Sequence, residues 1–214
     1  MIRHFRAGVA VAVSDGLGSC NHADVGSRAA CRAVAEAAGL YFRNPHADLA
    51  NTPVLVQHLW KMMLSGHSPA DCSATCVFVA ALNDTGTVLA QLGDGLIAAC
   101  ESDGTVDLLM PDKSGAFANL TVGLASEQAT RRWRTVCVPK DRYRAFVLCT
   151  DGISDDLEPG AVREFAWEVY SHYERYSPRK RGREVRRWLR TWPVPGHSDD
   201  KTIACIYRSG GPHE

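Results

Sequence analysis

Apolar residues in this chain fall into short runs, separated by turns that carry glycine and acid, and the runs alternate between two periods. Residues 8–14 are almost continuously apolar, with β-branched side chains at Val9, Val11 and Val13, the pattern of a strand covered on both faces. The run stops at the turn Asp15-Gly16-Leu17-Gly18-Ser19. Over 24–42 the apolar positions change to spacings of three and four (Ala30, Val34, Ala37, Tyr41), which predicts a helix with Asp24 at its N-cap. Its small side chains suit close packing on a sheet. Asn44-Pro45 breaks it. Residues 53–64 predict a second helix, capped by Thr52, with Pro53 in its first turn and an apolar face of Val56, Leu59, Trp60 and Met63.

Residues 73–82 and 87–92 read as strands joined by the hairpin signal Asn83-Asp84-Thr85-Gly86. Residues 96–100 and 105–109 read as a second hairpin around Ser102-Asp103-Gly104. Residues 111–130 show no period and read as a loop or small flap. Two more strands are predicted at 134–138 and 143–150, helices at 160–176 and 183–192, and a closing strand at 202–207. Helices come in pairs and strands in hairpin-linked runs. That pattern favours an α+β layered sandwich over a doubly wound parallel sheet.

Composition adds boundaries. The 214 residues are enough for one sizeable core, so 1–214 is expected to form a single domain. Lys+Arg 24 balances Asp+Glu 24, which offers no reason to expect nucleic acid or an acidic membrane as partner. No apolar run approaches the ~20 residues of a membrane span. The basic start at 1–6 and the short run at 7–13 lack a small-residue cleavage site, and they lead straight into Asp15. A core strand and a cytoplasmic location are expected, not a signal peptide. Eight cysteines contain no Cys-x-x-Cys pair and lie mostly in apolar runs, as reduced core thiols would.

The candidate chemistry sits at the strand ends. Asp15-Gly16 ends the first run, and Asp151-Gly152 ends the run at 146–150. Ser198-Asp199-Asp200-Lys201 precedes the last strand. Asp-Gly is an ordinary turn dipeptide, and Asp94-Gly95 carries it too. Asp15 and Asp151 differ because each follows a buried strand and precedes a helical segment instead of a hairpin return. Carboxylates and carbonyls from three strand ends would suit Mg²⁺ or Mn²⁺. Two such ions about 4 Å apart can activate a water and clamp the oxygens of a displacement at phosphorus.

Four ordered motifs carry a family resemblance: Ala12-Val13-Ser14-Asp15-Gly16-Leu17-Gly18-Ser19, Gln91-Leu92-Gly93-Asp94-Gly95, 148–156 around Thr150-Asp151-Gly152, and Ser198-Asp199-Asp200-Lys201-Thr202. Together, over roughly 8–207, they resemble the metal-dependent protein serine/threonine phosphatases of type 2C, closest to the compact bacterial branch. The resemblance implies a four-layer αββα sandwich of two mainly antiparallel sheets. It also implies two Mn²⁺ or Mg²⁺ ions. Asp15 would bridge both, the Gly16 carbonyl would ligate one, and Asp151 and Asp199 the other, with Asp200 as the alternative to Asp199. Asp94 matches a position that is usually structural. The implied reaction is hydrolysis of phosphoserine or phosphothreonine on a protein by metal-activated water, with a serine/threonine kinase linked to that substrate.

Two family features find no match. The Arg and the Asn-Glu-Asp or Asn-Gln-Asp motif that precede the first Asp-Gly strand are absent, so a first strand is expected to be missing through truncation or divergence. The alternative reading is then an inactive regulatory module of the same fold. No acid in 111–130 matches a third-metal position, so two ions at most are expected. Three further features carry less. His67, Cys72 and Cys76 offer zinc ligands without a fourth. His22 could serve as a general acid or stand in a polar turn. Arg179-Lys180-Arg181 with Arg183, Arg186, Arg187 and Arg190 could bind nucleic acid or a phosphorylated partner, or form a solvated helix face.

Overall fold

Strands that are apolar on both faces need cover on both sides. The computed structural model, which describes residues 1–44, 46–83, 86–109, 121–158, 160–192 and 199–208, supplies that cover by stacking two sheets between two helical layers. In chain order the elements are β1 (Ile2–Phe5), β2 (Gly8–Val13), α1 (Ala23–Tyr41), α2 (Thr52–Met62), β3 (Cys76–Leu82), β4 (Gly86–Leu92), β5 (Leu96–Cys100), β6 (Val106–Leu109), α3 (Ala129–Arg132), β7 (Arg134–Pro139), β8 (Ala145–Cys149), α4 (Asp151–Ser154), α5 (Val162–Glu174), α6 (Pro178–Arg190) and β9 (Ile203–Tyr207). Short 3₁₀ turns at Leu49–Asn51 and Pro69–Cys72 complete the described set. One sheet has the order β1-β2-β3-β4-β7 and the other β6-β5-β8-β9. Every pairing is antiparallel.

The period of two sorts each strand between layers. Val11, Val13, Val77, Val79, Ile97, Phe146 and Leu148 meet between the sheets. Their neighbours Ala10, Ala12, Phe78, Ala80 and Ala90 face α1 and α2. On the far side Ala98, Cys100, Ala145 and Val147 face Ala166, Val169, Tyr170 and Tyr173 of α5. The layer order is therefore αββα, as the resemblance implied. α1 sits close because its inner face is alanine: Ala29, Ala30, Ala33, Ala37 and Ala38 are buried. At Gly26 even a methyl group would run into the Cys72 carbonyl.

The structure differs from the sequence-based expectation in several places. A strand ahead of the first Asp-Gly strand, expected to be missing, is present: residues 2–5 form β1 and pair with β2, so β2 is not the edge of its sheet. What holds this edge is tertiary: Phe5 packs edge-on against Phe42 at 5.1 Å, and Arg3 pairs with Glu36 at 2.5 Å. Asp24 does not cap α1. The cap position is His22, without a side-chain cap bond, and Asp24 lies in the first turn, where it pairs with Arg28. Thr52 lies inside α2, its hydroxyl donating back to the Leu49 carbonyl at 2.6 Å. β3 starts at Cys76, not at residue 73, because Ser73 and Thr75 are spent on loop hydrogen bonds. α6 starts at Pro178, five residues ahead of expectation, in the first-turn place where proline is tolerated. Half of the expected flap, residues 111–120, together with the hairpin tip 84–85 and Ser198, lies outside the described residues.

Candidate functional site

β2, β8 and the lead-in to β9 end at one rim, and each delivers an acid there. A threonine beside each Asp-Gly fixes the backbone. At the first, Asp15 N–H donates to Thr75 Oγ1 at 2.9 Å, Thr75 N–H donates to the Asp15 carbonyl at 2.8 Å, and Ser14 Oγ donates to the Thr75 carbonyl at 2.6 Å. At the second, Thr150 N–H donates to the Thr202 carbonyl at 3.1 Å. Thr202 N–H returns a bond to Thr150 Oγ1 at 3.1 Å, and that hydroxyl donates to the Asp200 carbonyl at 3.3 Å. Thr150 thus ties the Asp199-Asp200 segment to the end of β8.

The glycines of the two pairs are there for space. A Cβ on Gly16 would lie 2.6 Å from Ala23 Cβ, so glycine lets the start of α1 close over the loop. A Cβ on Gly152 would collide with the Asp200 carbonyl. Gly152 therefore admits the backbone that carries Asp199 and Asp200 next to Asp151. Close backbone approach of this kind is one of the two reasons a turn requires glycine.

The acids affect one another. The Asp15 carboxyl is pushed up to about 6, first by burial and then by the charges of Asp151 and Asp199, with a smaller contribution from Asp200, against a lowering hydrogen bond from Gly16 N–H. The Asp151 carboxyl is also raised, first by burial and then by Asp94, with Asp199 and Asp155 adding less, while Gly152 N–H donates to it at 2.9 Å and opposes the rise. Asp15, Asp151, Asp199 and Asp200 are therefore brought together. Asp15 and Asp151 are half-buried, and Asp199 and Asp200 stand at the exposed side.

Asp94 belongs to this group more closely than its structural assignment implied. It sits between Gly93, at φ 96°, and Gly95, and its Oδ2 accepts a short bond from Thr121. Its Oδ1 is buried with no hydrogen-bond partner among the described residues. No motif spacing announces this, because Thr121 enters from the far side of the 110–120 segment. Asp156 and Lys201 add a third device that sequence reasoning missed. Lys201 Nζ lies 3.5 Å from Asp156 Oδ2, with both side chains largely buried, and 3.3 Å from the Asp199 carbonyl. Trp192 Nε1 donates to the same Asp156 oxygen at 2.6 Å.

Among the described residues, no three His, Cys, Asp or Glu side chains gather round one point closely enough to hold an ion. The chemistry of the donor set nevertheless fits a hard divalent cation. All the converging groups are oxygen donors, they repel one another, and one buried carboxylate oxygen has no hydrogen-bond partner among the described residues. The zinc candidates do not converge. His67 is exposed and its ring lies tilted against that of His22, centroids 4.4 Å apart, while Cys72 and Cys76 are buried. His22 N–H donates to the Asp71 carbonyl at 2.8 Å. All eight cysteines are free thiols.

Comparison with known proteins bears on the whole arrangement. No curated protein matches the chain. Among solved structures, the serine/threonine phosphatase Stp1 from Staphylococcus aureus is similar with a TM-score of 0.65 at 11% identity, over 99% of this chain and 88% of that one. The serine/threonine phosphatase of S. agalactiae reaches 0.64 at 14% identity, over 98% and 92%. A Stage II Sporulation E family protein from Thermanaerovibrio acidaminovorans reaches 0.59 at 16% identity, over 97% and 99%. At such identities these likenesses show the fold. The family model described as Protein phosphatase 2C matches residues 2–192, which takes in Asp15, Asp94 and Asp151 and stops short of Asp199. A match over that share of its length makes this chain a member of the protein phosphatase 2C family.

Proposed function

We propose that the chain, as one domain over 1–214 acting in the cytoplasm, hydrolyses phosphoserine and phosphothreonine on proteins with the help of two Mn²⁺ or Mg²⁺ ions, and that its substrate is linked to a serine/threonine kinase. The observation that carries this reading is the convergence at one rim of Asp15, Asp151 and Asp199, acids from three distant strand ends: Asp151 and Asp199 raise the Asp15 carboxyl, and Asp199 adds to the rise at Asp151. Family membership supplies the reaction class. Asp15, Asp151 and Asp199, with the Gly16 carbonyl, would hold the ions, and Asp200 is the alternative to Asp199. Bound divalent ions of this kind lower the pKa of water and neutralise charge on a phosphoryl group. The chain's own contribution is placement. Thr75 and Thr150 hold the acids, Gly152 admits the Asp199-Asp200 segment, and the pocketed Asp94 oxygen adds negative charge beside Asp151. Among the described residues no helix is long and apolar enough to cross a membrane.

One observation favours a second reading, a phosphatase-fold regulatory module without turnover: the family's Arg and Asn-Glu-Asp or Asn-Gln-Asp motif find no match in this sequence. Hydrolysis of a phosphoserine peptide by the full chain with millimolar Mn²⁺, beside Asp151→Ala, separates the two. The proposal expects Mn²⁺-dependent phosphate release that falls by roughly 100-fold or more in the variant. Mn²⁺ binding without any release would support the regulatory module.

A further inference from the structure

The acid site makes no use of the cationic run on α6. Seven of the chain's 24 Lys+Arg stand on the 13 residues of this helix, with Glu184 its single acid. The chain as a whole is neutral, so everything outside α6 carries six more acids than bases. The seven cations do not all face solvent. Arg181 is taken up structurally: its guanidinium donates to the Tyr173, Glu174 and Tyr176 carbonyls at 2.8–3.0 Å and lies 3.7 Å over the Tyr207 ring. Lys180 lies over the Tyr176 ring. Arg179, Arg183, Arg186, Arg187 and Arg190 are exposed, and Arg183 and Arg187 share Glu184 at 3.3 Å each. The opposite side of the helix is anchored, with Val185, Trp188 and Leu189 packed on the core. The result is a row of guanidinium groups about 16 Å long on a fixed rod.

One end of that row adjoins the acid site. Leu189 and Trp192 pack in the same cluster as Ile153, two residues past Asp151. Trp192 also donates to Asp156, which reaches Lys201 beside Asp200. We propose that the exposed face of α6 docks an acidic segment of the phosphoprotein substrate, a run of Asp and Glu to one side of the phosphorylated residue. This rests on the phosphatase reading. An extended peptide advances about 3.3 Å per residue, so the row matches about five acidic positions. The charge complementarity favours a protein segment over nucleic acid. A nucleic acid that followed and overran the row would lay its further phosphates over the net-acidic surface outside α6, whereas a peptide carries its acids only where the row lies. The neighbouring rings are also engaged with one another, Phe165 against Trp192 at 6.3 Å and Tyr173 against Tyr176 at 6.1 Å, both near edge-on, instead of lying open for base stacking.

The test is binding, which needs no turnover. Fluorescence anisotropy compares two non-hydrolysable phosphonate peptides, one with an Asp/Glu flank and one with a Gln flank, on the full chain and on an Arg183→Glu, Arg186→Glu, Arg187→Glu, Arg190→Glu variant with unchanged circular dichroism. The full chain should prefer the acidic flank by about tenfold at low salt, lose much of that preference at high salt, and show none in the variant. The corresponding Arg→Gln variant should be intermediate. A preference that survives charge reversal would overturn the docking surface. So would tighter binding of single-stranded RNA, or of phosphatidylserine vesicles, than of the acidic peptide. Absence of hydrolysis with the binding preference intact would count against the phosphatase reading alone.

Discussion

The same dipeptide does opposite things at two places in this molecule. At the tip of the β5–β6 hairpin, Asp103-Gly104 is a turn. Gly104 has φ 98°, a left-handed backbone that side chains disfavour, and Asp103 Oδ1 accepts Thr105 N–H at 2.9 Å. The Asp103 carboxyl is lowered, chiefly by hydrogen bonding from Thr105. At the rim, Gly16 and Gly152 are needed for space and not for backbone freedom, and their aspartates are raised by burial and by other acids. A hairpin tip offers donors to its acid. The rim offers other carboxylates, an arrangement that lowers stability unless a cation joins it. The chemistry belongs to the environment of the Asp-Gly pair.

The widest separation between the two places should appear in catalysis. Asp151→Ala should lower Mn²⁺-dependent phosphate release by roughly 100-fold or more, and Asp103→Ala should leave it within about twofold. Equal losses would erase the distinction. Denaturant unfolding then tests why each glycine is there. Gly152→Ala must displace the Asp200 backbone and should cost about 1–3 kcal/mol, whereas Gly18→Ala, with open space around it, should change stability by less than about 0.5 kcal/mol. A smaller effect is expected at the threonine tie. Thr150→Val removes both the donor to Asp200 and the acceptor for Thr202 N–H, and should cost about 1–2 kcal/mol while weakening Mn²⁺ binding.

The smallest expected effect is pH dependence, and its sign differs between the two places. Asp15 holds its proton more tightly folded, at about 6, than at its ordinary 3.8, so folding takes up a proton between those values. Its contribution to metal-free stability should therefore fall as pH rises through that window, by on the order of 1 kcal/mol once the screening of a half-exposed site is included. Asp103, lowered in the folded state, contributes in the other direction: its stabilisation is present above the ordinary carboxylate value and fades as pH falls. Urea unfolding of Asp15→Asn against the unaltered chain, without metal, should show the slope between pH 4 and 6 flattened in the variant.

Much of this arrangement was legible in the chain. Strands covered on both faces are continuous apolar runs, so β2, β3, β4, β5 and β8 announced themselves, and an acid ending such a run marks a rim. What was not legible depends on distant partners. β1 exists because Phe5 finds Phe42 and Arg3 finds Glu36, contacts that local propensity does not encode. Asp94 looked like one more turn residue until Thr121 and the Asp151 charge stood beside it. Thr75 and Thr150 each lie next to a strand end, where threonine is common for reasons of propensity, and their hydrogen bonds to the rim appear only when the strands pair. The start of α6 was missed because a row of arginines hides the narrow apolar side formed by Val185, Trp188 and Leu189.

Calorimetric titration of Mn²⁺ into the full chain and into Asp151→Ala tests most directly whether the rim acids form a divalent-cation site. Saturable binding of two ions to the unaltered chain, weakened by roughly tenfold or more in the variant, is the predicted result. No binding at millimolar Mn²⁺, or equal binding to both proteins, would contradict it.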